Sequence, residues 1–132
     1  MDRAGFESWL TAYERAWRTP GTETLTEVFA GDATYKNAPY EPPYRGLDAI
    51  AEMWERERTS PDEVFEMMSE IVAVERDTGV ARIAVRYGDP VEIEYRDVWI
   101  VRLDARGRCV EFEEWPFWPP GQKGSWPAGP SE

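Results

Sequence analysis

Ala33-Thr34-Tyr35-Lys36-Asn37-Ala38-Pro39-Tyr40-Glu41-Pro42-Pro43-Tyr44-Arg45-Gly46 packs three tyrosines, three prolines and one asparagine between two helix-like segments. Proline fixes its own φ and pushes the residue before it towards extended geometry. The run therefore predicts a short strand that opens into a rigid, aromatic, non-helical lip. Tyr35 and Asn37 share strand parity and face the same side. An aromatic wall beside a few fixed polar groups is the material of a small-molecule pocket.

Upstream of the lip, Phe6, Trp9, Leu10, Tyr13 and Trp17 recur at three- and four-residue steps, which predicts an amphipathic helix over about 2–19. Thr19-Pro20-Gly21 stops it. Thr24 with Glu27 forms a capping-box pattern for a short second helix carrying Leu25, Val28 and Phe29, ended by Gly31-Asp32. Downstream, Gly46 launches a third helix over about 47–58, with Leu47, Ile50, Met53 and Trp54 inward and Glu52 and Arg56 spaced for an i,i+4 pair. Ser60-Pro61 breaks it.

The second half reads as strands. Residues 64–75, 80–87, 92–103 and 108–117 are β-branched and aromatic, with turn signals at Asp77-Thr78-Gly79, Gly88-Asp89-Pro90 and Asp104-Ala105-Arg106-Gly107. Three helices, one inserted strand and a four-strand meander make an α+β domain: a cone of helices on a curved antiparallel sheet. The predicted domain is 1–118, and 119–132 is a Pro/Gly-rich irregular tail.

At 132 residues the chain is long enough for one real core. Its net charge of −11 argues against nucleic acid and anionic membrane surfaces, which need clustered Lys and Arg. No apolar run spans a bilayer and no apolar signal core opens the chain, so the expectation is a cytoplasmic protein. There is no histidine, and Cys109 is the one cysteine. His-based triads, His metal sites, internal disulfides and thiolate clusters are excluded, so neither metal nor cofactor is expected. Chemistry falls to carboxylates, Arg, Tyr, Trp and amides.

The element order, with Ala33-Thr34-Tyr35 opening the first strand and Gly46 opening the third helix, resembles the SnoaL-like branch of the nuclear-transport-factor-2-like (cystatin-like) superfamily over about residues 6–117. The superfamily holds ketosteroid isomerases, polyketide cyclases, epoxide hydrolases, dehydratases and non-catalytic binding domains. The resemblance to ketosteroid isomerases puts Asn37 at the base aspartate and Trp99 at the oxyanion-hole acid. Limonene epoxide hydrolase implies more: its Tyr-x-Asn looks like Tyr35-Lys36-Asn37, its guanidinium falls at Arg82 and its carboxylic acid at Glu114. Its base falls at Ala84, and Asp97 on the neighbouring strand is the expected substitute.

The candidate catalytic set is therefore Tyr35, Asn37, Arg82, Asp97 and Glu114. Expected ligand contacts are Tyr13, Trp17, Tyr40, Tyr44, Trp54, Phe65, Trp99 and Phe112. Packing alone explains the helix-stripe tryptophans, although a stripe covering a sheet also lines any cavity between the two. On the 80–87 strand, Ala81, Ile83, Val85 and Tyr87 share one parity, and Arg82 and Arg86 the other. Either set can face inward; the resemblance puts the arginines at the cavity and leaves Ile83, Val85 and Val98 as an outer apolar face for a homodimer. Three functions fit: a cofactor-independent hydrolase, isomerase, lyase or cyclase acting on a small apolar molecule, a non-catalytic binding module with the same pocket, or a dimeric interaction domain.

Overall fold

A computed structural model describes residues 1–58 and 64–121. Helix α1 spans Arg3–Arg18, α2 Leu25–Val28 and α3 Leu47–Glu57. The strands are β1 Phe29–Lys36, β2 Tyr44–Arg45, β3 Phe65–Glu75, β4 Thr78–Tyr87, β5 Ile93–Leu103 and β6 Cys109–Phe117. They form one curved sheet in the order β2-β1-β6-β5-β4-β3. The meander β3–β6 is antiparallel throughout, and β1 joins β6 in parallel, so the sheet is mixed. The α+β cone is as expected. The Ser60-Pro61 break and residues 122–132 of the tail lie outside the described residues.

Asp2 caps α1, its carboxylate accepting from the Gly5 amide at 2.8 Å. Phe6, Trp9, Leu10 and Tyr13 are buried against the sheet. The other end of α1 is held by Arg58, just past α3. Its guanidinium donates to the carbonyls of Thr19 and Gly21, both at 2.6 Å. A cation there satisfies carbonyls of the turn just past the helix and complements the helix dipole. Gly79 on β4 lies under the Phe6 ring, where a Cβ would come within 2.5 Å of the ring; only glycine lets helix and sheet approach so closely.

Three local expectations are corrected. Thr24 makes no side-chain cap, and its Oγ1 is buried without a partner. Phe29, Gly31 and Asp32 belong to β1, which absorbs them by a register shift between Phe29 and Thr34 rather than by a turn. Arg56 turns from Glu52 to the Tyr44 hydroxyl at 2.9 Å. Gly46 does open α3; its φ of 91° is one that a side chain disfavours, and its amide donates to Ala33 O at 2.7 Å.

The parity of β4 is settled by burial. Ala81, Ile83 and Val85 point inward and are buried, whereas Arg82 is exposed. Ile83 and Val85 are thus core residues, not an outer face. Across the register, Ile83 stands opposite Asp97, and Arg82 opposite Val98. Asp97 is therefore inward and Val98 outward.

Candidate functional site

A cavity of about 350 Å³ lies between the helices and the inner face of the sheet. α1 supplies Tyr13 and Trp17, and α3 supplies Met53 and Glu57. β1 brings Tyr35, with Asn37 just beyond it; β5 brings Tyr95 and Trp99, and β6 brings Glu114. Phe65, Met67, Val85 and Tyr87 close the apolar end, and exposed Glu92 lies at the mouth. Each strand contributes through its period of two: Val85 and Tyr87, Tyr95 and Trp99, and Glu114 all share the inward parity.

The lining rings are braced from behind. Trp54 meets Tyr13 at 5.1 Å and Trp17 at 4.8 Å between ring centroids, and Phe112 meets Tyr35 at 4.3 Å. The Tyr13 and Tyr35 hydroxyls are 2.6 Å apart. Burial pushes both phenols well above their ordinary pKa, so they stay protonated. In such a pair one hydroxyl uses its proton on the other, and the second keeps a proton to offer.

Asp97 and Glu114 are each 3 % exposed, and among the described residues neither forms an ion pair with Lys or Arg. Trp99 and Glu114 are cross-strand partners, and Asp97 lies two residues before Trp99 on the same face. Trp99 Nε1 donates to Asp97 Oδ2 at 3.0 Å, while Asp97 Oδ1 is buried with no donor. The neighbouring carboxyls shift one another in opposite senses, Asp97 down and Glu114 up, so Glu114 holds its proton the more tightly. Burial first, and then the Asp97 charge, hold Glu114 well above the carboxylate range. Burial pushes Asp97 up to about 6 against the lowering effect of Glu114 and of the Trp99 hydrogen bond. Glu57 is a third acid, raised by burial, whose Oε2 has no partner. Among the described residues, no three acid, thiol or imidazole groups are placed to hold a metal ion.

A model of the SnoaL-like domain matches residues 10–112. The chain belongs to the SnoaL-like domain family. No curated protein sequence matches it. Among solved structures, this SnoaL-like chain is similar to a steroid delta-isomerase from Pseudomonas aeruginosa, at 20% identity and TM-score 0.62, covering 87% of this chain and 81% of that one. An M. tuberculosis LEH-like epoxide hydrolase aligns at 16% identity and TM-score 0.56, covering 83% and 80%. An NTF-2-like protein of unknown function from Silicibacter pomeroyi DSS-3 aligns at 16% and 0.56, covering 86% and 94%. At these identities the likeness is one of fold.

Within the SnoaL-like cone, Tyr13, Trp17, Tyr35, Asn37, Phe65, Trp99 and Glu114 line the cavity. Asp97 is buried against Glu114 but is not among the lining residues. Arg82 is not at the site. It lies on the outer face and pairs with Glu70 of β3 at 3.1 Å. The reason is the β4 parity: facing Arg82 inward would send Ile83 and Val85 to water. The inward residues of β4 between Gly79 and Tyr87 are apolar, so no acid–arginine–acid relay crosses this strand. Tyr40 is fully exposed in the lip, and Tyr44 is held outside by Arg56. Trp54 and Phe112 are core residues behind the wall rather than part of it.

Among the lining residues missed from the sequence are Glu57, Tyr87 and Tyr95. Glu57 continues the Ile50, Met53, Trp54 stripe by one more helical step, and that spacing is the signal that marks it. Tyr87 and Tyr95 are marked by sharing parity with Val85 and Asp97.

Proposed function

We propose that the cavity binds a small, largely apolar organic molecule and that Glu114 acts on it as a general acid, without a cofactor. The observation that carries this reading is the Asp97–Glu114 pair: two buried carboxyls that, among the described residues, pair with no Lys or Arg, with Glu114 at the wall of an aromatic cavity. A neutral acid among rings can protonate a ligand oxygen. Giving up that proton leaves two adjacent carboxylates in an apolar site, which makes the pair a strong base for the return transfer from water or carbon. The free hydroxyl of the Tyr13–Tyr35 pair and the Asn37 amide would orient the oxygen. Hydrolase, isomerase and cyclase reactions all use such a transfer, in keeping with the names of the structural relatives.

A second reading, non-catalytic binding, is favoured by the position of Asp97 behind the wall, which keeps the carboxyl beside Glu114 out of the ligand's reach. The test is a panel of small epoxides and cyclic enones with wild type, Glu114→Gln and Asp97→Asn. Loss of about 100-fold or more in turnover with Glu114→Gln supports catalysis. Saturable binding of apolar ligands without turnover selects the binding module. Turnover indifferent to both substitutions overturns the assignment of the pair.

A further inference from the structure

We infer that the ligand of this cavity carries a positive charge: an organic ammonium with an apolar body. The inference rests on the cavity being a ligand site and adds the chemical class that fits it. Glu57, Glu92 and Glu114 line it, and none of the described lining residues is Lys or Arg. Glu57 is only 8 % exposed, lies on the cavity wall, and its Oε2 has no hydrogen-bond partner. Arg56 eases the Glu57 charge from a distance but forms no ion pair with it, and a buried carboxylate without a paired partner is costly.

The neighbouring cations are already engaged. Arg56 turns to the Tyr44 hydroxyl at 2.9 Å. Arg18 bonds Glu14 at 2.9 Å and lies 4.0 Å from the Phe65 ring centre. Arg58 is spent on the Thr19 and Gly21 carbonyls and on Glu55. What remains open to a ligand is carboxylate and ring. The faces and edges of Tyr13, Trp17, Tyr35, Tyr95 and Trp99 surround the acids, and aromatic faces attract ammonium groups through their quadrupoles. An ammonium beside Glu57 would meet both attractions while its apolar body fills the Phe65 end. The net charge of −11 also steers a cation to the mouth and an anion away.

The experiment compares three probes of one shape by isothermal titration calorimetry at neutral pH: 1-naphthylmethylamine, 1-naphthalenemethanol and 1-naphthoic acid. The expected result is that the ammonium binds roughly tenfold or more tighter than the alcohol and that the carboxylate binds weakest. Glu57→Gln should cut the amine-to-alcohol ratio by roughly tenfold. If the alcohol or the carboxylate binds as tightly as the amine, the cation inference fails while the cavity stands as a ligand site. If none of the three binds, the ligand-site reading fails with it. A folded Glu57→Gln protein that keeps the full preference removes Glu57 from the role. If that variant does not fold, the wild-type ranking of the three probes decides.

Discussion

Trp99 donates its indole N–H to Asp97 Oδ2 at 3.0 Å, two residues along the same face of β5. That one bond fixes the aspartate beside Glu114 and leaves its other oxygen without a donor. The aspartate's charge adds to burial, the larger cause, in holding a proton on Glu114. Asp97→Asn removes the charge and places an amide there. Glu114 should then titrate lower, yet stay above the ordinary range because burial is the larger cause. Carboxyl-carbon NMR on labelled glutamate reads this directly, and an unmoved Glu114 would dissolve the pair.

Stability should rise on mild acidification. A carboxyl raised in the folded state holds protons there that the unfolded chain has already released, so its stabilisation is present at low pH and lost as pH climbs. Asp97, raised from 3.8 to about 6, loses its share across that interval. Glu57 and Glu114 are shifted the same way and lose theirs as pH climbs through their own raised values. Asp104 is shifted down and matters only below the ordinary carboxylate range. Melting scans should show a Tm several degrees higher near pH 5 than near pH 7.5, from a difference of about 1–3 kcal/mol. Asp97→Asn should flatten part of the slope.

Two arginines of opposite standing give a sharp contrast. Arg82, with both partners of its pair mostly exposed, contributes about 0–1 kcal/mol, and Arg82→Ala should barely move the Tm. Arg58 is nearly buried and caps the end of α1 through Thr19 and Gly21. Removing it strands two carbonyls, and Arg58→Ala should cost about 2–4 kcal/mol. Urea midpoints for both variants make the comparison; an equal loss would contradict the burial assigned to these side chains.

A homodimer is expected through the outer face of the sheet. Met68, Ala84, Arg96 and Phe117 stand in one cross-strand row, with Met68 69 % and Phe117 59 % exposed. Val98 and Trp115 pair in the adjacent row. Large exposed apolar side chains gathered on one face are typical of interfaces. Light scattering at micromolar concentration should give twice the chain mass, and Met68→Glu with Phe117→Glu should give monomer. Wild-type monomer would end this expectation.

Local chemistry wrote most of the fold into the chain. The i, i+3, i+4 stripe of α1, the proline lip, the Gly46 helix start and the turn signals between β3 and β6 are short-range features, and each is legible because backbone sterics act over a few residues. Much of the site followed from them: Tyr13, Tyr35, Asn37, Trp99 and Glu114 needed only parity and element order. What the chain alone left open was which face of a strand turns inward, because alternation is symmetric until something packs on it. The helices chose the Ile83 face, and with it sent Arg82 out and Asp97 in. Glu57 became a site residue only when α3 was laid across the cavity, and the Asp97–Glu114 proton exists only because β5 and β6 bring two acids together where water cannot separate them.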